Sequence, residues 1–340
     1  MKLTYKDSGV DVQAADKLVT EYGNLAEATD QSHVLSGVGG FAGFFALPEG
    51  YRQPVLVSCT DGVGTKLRLL IDHDRPEVAG MDAAAMCLND LATSGARPLF
   101  MLDYLACGQL SPDVAKRVVA GFAQYCRESK CTLLGGETAE MPGFYPQGDF
   151  DIAGFAVGVV ERDEIVDGST CCEGDVVIGL ASNGLHSNGF SLFRKLLSEG
   201  LLAMEETYPG LDGSLAEAAL KPTRLYTALV EQVRKDVNVK AMTNVTGGGL
   251  PGNLARTVPK HLDVIVQSNS WPRPAIYQLL AKAGIDEAEL MATFNAGIGY
   301  TLVVSKEEAE QAIAACNNLG CEAWQIGHLS PGSGQVKIDV

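Results

Sequence analysis

Short apolar runs alternate with glycine-rich breaks along this chain, and most of the runs have the length of strands. In the first half, runs near 55–59, 99–106, 131–134 and 151–160 read as strands, while the 3.6-residue period predicts helices near 82–94 and 112–129. Ser111-Pro112-Asp113 opens the second of these helices with a cap, a first-turn proline and an acid beside the positive end of the dipole. The second half reads as a strand at 175–181, a helix from about Phe190, a helix near 222–236 and strands near 239–245 and 263–267. A helix near 273–283, a strand at 299–304, a helix at 306–318 and closing strands follow. Ser305-Lys306-Glu307-Glu308 has the form of a capping box and Gly320 supplies the stop. The pattern is that of an α/β or α+β chain in two domains, 1–165 and 166–340, meeting near 161–174.

Length agrees, since 340 residues are comfortable for two cores. The composition, 46% hydrophobic and 20% charged, is that of an ordinary globular protein, and no apolar stretch is long enough to cross a bilayer. The first residues lack the apolar core of a secretory signal, and the nine cysteines have no metal-type spacing, so a reduced, cytoplasmic protein is expected. A net charge of −16 argues against nucleic-acid binding. It leaves room for small phosphorylated ligands, whose charge is met locally by a cation, a few basic side chains or backbone N–H groups. The run 99–106 is apolar except for Asp103, which suggests burial on both faces and a partner subunit.

Three acidic motifs stand out: Thr60-Asp61-Gly62-Val63-Gly64-Thr65-Lys66, Cys87-Leu88-Asn89-Asp90-Leu91 and Gly135-Gly136-Glu137-Thr138-Ala139-Glu140. The first and third read as loops where a strand runs out, and gathered carboxylates of this kind suit Mg²⁺ and nucleotide phosphates. Asp90 sits in apolar helix, where ionisation needs a cation, a salt bridge or hydrogen bonds, and a metal or nucleotide contact is the favoured reading. Asp82 is simplest as a helix cap. Gly37-Val38-Gly39-Gly40-Phe41-Ala42 fits the dinucleotide fingerprint in letters only, because the residues before it are polar and little helix can follow. It is either a ligand loop or a structural turn. Gly62–Lys66 is too short for a P-loop. Ser182–Gly189, containing His186, Asn188 and Gly189, and Thr246-Gly247-Gly248-Gly249 each join a strand to a helix, the arrangement that offers N–H groups to phosphate or serves as plain turn chemistry.

Taken in order, with Tyr5–Asp11, Leu102-Asp103-Tyr104 and Gly135–Gly143, these motifs resemble the aminoimidazole ribonucleotide synthetases (phosphoribosylformylglycinamidine cyclo-ligases) over essentially the whole chain. The resemblance implies a homodimer whose N-terminal halves build a β-barrel flanked by helices, each chain adding a C-terminal α/β domain with a mixed sheet. It implies Mg²⁺ and ATP bound without a P-loop in a cleft near the subunit interface. It also implies conversion of formylglycinamidine ribonucleotide into aminoimidazole ribonucleotide, ADP and phosphate, in purine biosynthesis. By position, Asp61, Asp90 and Glu137 become metal and catalytic candidates. Gly37, Gly39, Gly40, Gly62, Thr65 and Lys66 join Asp61 and Asp90 as ATP candidates, with loop 37–43 closing over the nucleotide. Asn188, Gly189, Thr246, Gly247, Gly248 and Gly249 become candidates for the ribose phosphate, and His186 for the reacting end. Many relatives carry basic residues where this chain has Thr29-Asp30-Gln31-Ser32-His33, so Lys6 or Lys66 is left to supply that charge. Related selenophosphate synthetases need a reactive residue near the N-terminus, absent before Cys59. Hydrogenase-maturation dehydratases end in cysteine, whereas this chain ends Lys337-Ile338-Asp339-Val340. Thiamin-phosphate kinases differ in motif detail.

Overall fold

The computed structural model describes residues 12–339, so Lys6 and the motif 5–11 lie outside the described residues. The chain divides into two compact units. The first runs to Leu91 and resumes over Ala96–Asp163; the second comprises Ala92–Gly95 and Glu164–Val340.

The first unit contains α1 (Val12–Glu27), β1 (Pro54–Gly62), α2 (Lys66–Asp72), α3 (Pro76–Ala92), β2 (Arg97–Cys107), α4 (Pro112–Glu128), β3 (Thr132–Glu140) and β4 (Phe150–Glu161). The strands form one sheet in the order β1-β4-β2-β3, with β2 and β3 parallel and the other neighbours antiparallel. Asp61, Gly154, Asp103 and Gly136 lie in one row across it. Helix α3 lies so close to β4 that a side chain at Gly154 would press on Cys87, Met101 and the Ala83 carbonyl. The opposite face is open: Leu56, Tyr104 and Phe155 are 63%, 47% and 42% exposed. In the single chain the middle of β2 is covered on one side only.

The second unit holds β5 (Val176–Ala181), α5 (Phe190–Ser198), α6 (Leu215–Ala219), α7 (Thr227–Val233), β6 (Ala241–Asn244), α8 (Gly249–Leu254) and β7 (Leu262–Gln267). It continues with α9 (Ala275–Lys282), α10 (Glu287–Thr293), β8 (Ile298–Val304), α11 (Ala309–Asn318), β9 (Ala323–Pro331) and β10 (Val336–Asp339). Its mixed sheet runs β10-β7-β9-β5-β8-β6. Alternation along β5 sends Val176, Ile178 and Leu180 into a core with Tyr226, Val230 and Ala312, and Val177 into another with Leu250, Leu254 and Ile326. The sheet is thus covered on both faces.

Three expectations change. The acids Asp61, Glu137 and Glu140 lie within strands β1 and β3, because Gly135-Gly136 continues the ladder where it looked like a break. Helix α3 begins at Pro76, which places Asp82 in mid-helix and removes its role as a cap. Helices α1, α2, α6 and α10 were not expected from the pattern.

Candidate active site

In the first unit the glycine loop is the tip of a short hairpin. Leu35 donates to the Phe44 carbonyl, Ala46 donates to the His33 carbonyl, and the Phe44 N–H bonds the Ser36 hydroxyl at 2.8 Å. Gly39 has φ 110°, a conformation suited to glycine. The polar stretch before it is an anchor. Thr29 accepts from the Leu133 N–H at 2.8 Å, and the Gln31 amide reaches the carbonyls of Leu99 and Lys130. Beneath loop 37–43 lies a cavity of 690 Å³, lined by Leu18, Val19, Tyr22 and Ala26 of α1 and by Asp103, Glu137 and Thr138 of the sheet. That volume suits a nucleotide-sized ligand. Burial, reinforced by the Glu137 carboxylate, pushes the Asp103 carboxyl up to about 7, against the pull of its own backbone N–H.

Asp61 and Asp90 form a second acidic locus. Burial raises the Asp61 carboxyl above its usual range, the Gly62 N–H bonded to it at 2.8 Å opposes this, and the charge of Asp90 raises it further. Carboxylates that raise one another in this way are candidates for a shared cation. Glu137 is elsewhere. It lies on the far edge strand β3, three strand spacings from β1, or ~14 Å. No group of three His, Cys, Asp or Glu able to hold a metal ion occurs among the described residues. One chain therefore does not assemble Asp61, Asp90 and Glu137 around one ion. Glu140 instead accepts the Leu110 N–H at 2.6 Å and holds the loop after β2.

Lys66 requires a correction. Its ammonium is fully buried and pairs with Asp82 at 2.7 Å, both side chains at 0% exposure. Burial drives its pKa down and Asp82 opposes that shift. Removing either partner alone would strand a buried charge, at ~3–5 kcal/mol. The pair fastens the start of α2 to α3 and so fixes the far end of the turn Gly62–Thr65 that leads from β1 into α2. The reading of Lys66 as a phosphate contact does not survive this geometry.

In the second unit, β5 and β6 are both antiparallel to β8 and hence parallel to each other, so the turns that follow them leave the same end of the sheet. The turns are adjacent: a side chain at Gly247 would meet the Asn188 oxygen at 3.4 Å. Gly189 and Gly248 have φ 80° and 95°, and both stand at helix starts. Gly247 and Gly248 are exposed, whereas Gly249 is buried and its N–H bonds the Thr246 carbonyl at 3.0 Å. The amide nitrogen of Asn188 is buried without a partner among the described residues, which suits a donor awaiting an anion. His186 is 2% exposed, has φ 59° and packs toward Tyr226 and Gly299, so its ring faces the interior. Pattern reading missed Asn253, whose side chain bonds around the 246–249 turn. Its signal was a polar residue inside the short apolar helix α8.

Family models for AIR synthase related protein match residues 45–160 with the N-terminal domain and 173–339 with the C-terminal domain. The chain is 48% identical over 343 residues to a phosphoribosylformylglycinamidine cyclo-ligase from Thermodesulfovibrio yellowstonii, covering 100% of both chains. It is likewise 48% identical to the enzyme so named from Myxococcus xanthus, over 99% of this chain and 98% of that one. Among solved structures, thiamine-monophosphate kinase from Stenotrophomonas maltophilia superposes with a TM-score of 0.70 at 22% identity, over 93% of this chain and 94% of the other. Hydrogenase maturation protein HypE in complex with ATP gives 0.70 at 18%, over 98% and 93%. The distant structures share the fold; the sequence relatives match along the whole chain. The chain belongs to the AIR synthase family and, within it, to the phosphoribosylformylglycinamidine cyclo-ligases, enzymes of ATP-dependent ring closure in purine biosynthesis.

Proposed function

We propose that the two units divide the substrates of this ring closure. The first holds Mg-ATP; the second holds the ribose phosphate of formylglycinamidine ribonucleotide. The cavity under loop 37–43 takes the nucleotide, with Gly37, Gly39 and Gly40 allowing the backbone to approach it. Asp61 and Asp90 hold Mg²⁺, which supplies charge neutralisation at the transferring phosphoryl group. The amides of Gly247 and Gly248, with the Asn188 side chain, take the ribose phosphate. The amide oxygen of the substrate is a poor leaving group. Phosphorylating it gives an iminophosphate, and the neighbouring amidine nitrogen closes the imidazole ring as phosphate leaves. The chain's task is to align the two substrates and exclude water. The 48% identity across the whole chain carries this reading. A reduced cytoplasmic setting fits the nine free cysteines.

The sheet supports a homodimer. An open face carrying Leu56, Tyr104 and Phe155 is apolar surface that a second copy would cover, completing a barrel. Because Asp61 and Glu137 lie on opposite edges of one sheet, a cation shared by all three acids would take its third carboxylate from Glu137 of the partner subunit. The test is complementation. Asp61→Asn and Glu137→Gln are each expected to abolish turnover, measured as ADP and aminoimidazole product. Co-expressed with separate tags, the two variants should recover about a quarter of wild-type activity, since half the dimers are mixed and one of their two sites is intact. Activity confined to the background of the single variants would place both acids of a site on one chain.

A further inference from the structure

The glycine turn of the second unit is shaped from behind by one buried side chain. Asn253, on α8, is 3% exposed. Its amide nitrogen donates to the carbonyls of Thr246 at 3.2 Å, Gly247 at 3.3 Å and Gly249 at 2.8 Å, and its oxygen accepts from the Thr246 hydroxyl at 3.2 Å. Each trans peptide points its N–H opposite to its C=O. Turning the carbonyls of Thr246 and Gly247 inward therefore turns the N–H groups of Gly247 and Gly248 outward, on the exposed side of the turn and beside the unpartnered Asn188 amide. Nothing in the glycines themselves would choose that orientation, since three in a row leave the peptide planes almost free to flip.

We infer that Asn253 is a positioning residue for substrate: by binding the carbonyls of the 246–249 turn, it presets the Gly247 and Gly248 N–H groups toward the ribose phosphate of formylglycinamidine ribonucleotide. The inference rests on the reading of this turn as the phosphate site. Asn253 touches no substrate; it removes the need to order the turn at the moment of binding. Its effect belongs on the affinity for phosphate-bearing substrate, leaving nucleotide affinity alone.

Asn253→Asp is nearly isosteric and keeps the acceptor for the Thr246 hydroxyl, but sets a carboxylate against three carbonyls. In the full-length protein it should raise KM for formylglycinamidine ribonucleotide by about tenfold or more and weaken inorganic phosphate, as a competitive inhibitor of that substrate, by a similar factor. KM for Mg-ATP should stay within about twofold. Amide exchange over 246–249 should accelerate in the free protein while exchange in β5 and β8 is unchanged. Should Asn253→Asp not fold, Thr246→Val removes only the hydroxyl bond and should give a smaller rise, about threefold, in the same KM. A folded Asn253→Asp with unaltered ribonucleotide KM, or with both KM values raised together, overturns the assignment. Gly247→Ala separates this from failure of the site itself, because it sets a methyl on the turn against the Asn188 oxygen at 3.4 Å, where the phosphate is proposed to bind. If Gly247→Ala leaves ribonucleotide KM unchanged, the turn is not the phosphate site and the inference falls with it. If it raises that KM and Asn253→Asp does not, only the positioning role is lost.

Discussion

At the scale of single residues, Asp103 and Lys66 show how burial decides what a charged side chain can do. Asp103 looks across at Gly136, where any side chain would overlap its carboxyl, and it is held near neutrality by burial beside Glu137. A carboxyl whose folded pKa of about 7 exceeds the unfolded value of ~3.9 binds its proton more tightly in the folded state, so its contribution favours folding below pH 4 and is lost as pH rises through 7. Asp103→Asn should therefore be close to wild type in stability at pH 3.5 and gain on it steadily between pH 4 and pH 7, by at most ~4 kcal/mol at pH 8.5, measured by urea unfolding without Mg²⁺ or nucleotide. A pH-independent difference would place the carboxyl in contact with water. The sequence marked Asp103 as the lone acid in an apolar run. Its partners could not be read, because they come from a parallel strand about thirty residues on. Lys66 was legible as a motif residue and misread in role, since its pairing with Asp82 depends on α3 starting at Pro76. The signal was present in Pro76-Glu77, a first-turn proline followed by an acid.

Among the elements, α3 and α4 cross with their backbones in contact. A side-chain carbon at Gly80 would overlap the Val118 carbonyl, and one at Gly121 would overlap the Glu77 carbonyl. In an isolated helix, Gly121→Ala would stabilise by ~1 kcal/mol. Here it has to push two helices apart, and a net loss of ~2–3 kcal/mol is expected from urea midpoints. An unchanged or higher midpoint would mean that the crossing relaxes freely. The strands of the second unit and helices α4, α9 and α11 were visible from periodicity, because their patterns are local. The expected caps do not form, since neither Ser111 nor Ser305 bonds a backbone N–H, and Ser305 donates instead to the Glu308 carboxylate ahead of a helix that starts at Ala309. Helix α10 was hidden although Asp286 caps it through the Glu289 N–H at 2.8 Å, since its seven residues are too few to establish a period. The reach of β3 through two glycines was hidden for a different reason. A glycine pair reads as a break unless the neighbouring strand is known to carry Asp103.

Over the whole molecule, the family's activity was legible, because it rests on the order and spacing of motifs along the chain. Which acids meet was not, because that depends on strand order: β1 and β3 occupy opposite edges of a sheet whose sequence positions suggest nothing of the kind. The formal charge of −16 acts at this scale as well. Both substrates are anions, and the turn proposed to hold the ribose phosphate offers neutral N–H groups, which attract only at contact. Until contact, the field of the protein repels what it must bind. Encounter is then the step that dissolved salt assists. Raising ionic strength from about 10 to 150 mM shortens the Debye length from ~30 to ~8 Å, and kcat/KM for the ribonucleotide should climb over that range at fixed Mg²⁺. A fall would reveal a local basic field strong enough to outweigh the acidity of the rest. The enzyme would thus be suited to crowded, salty surroundings, capturing its substrate fastest where long-range forces are least felt.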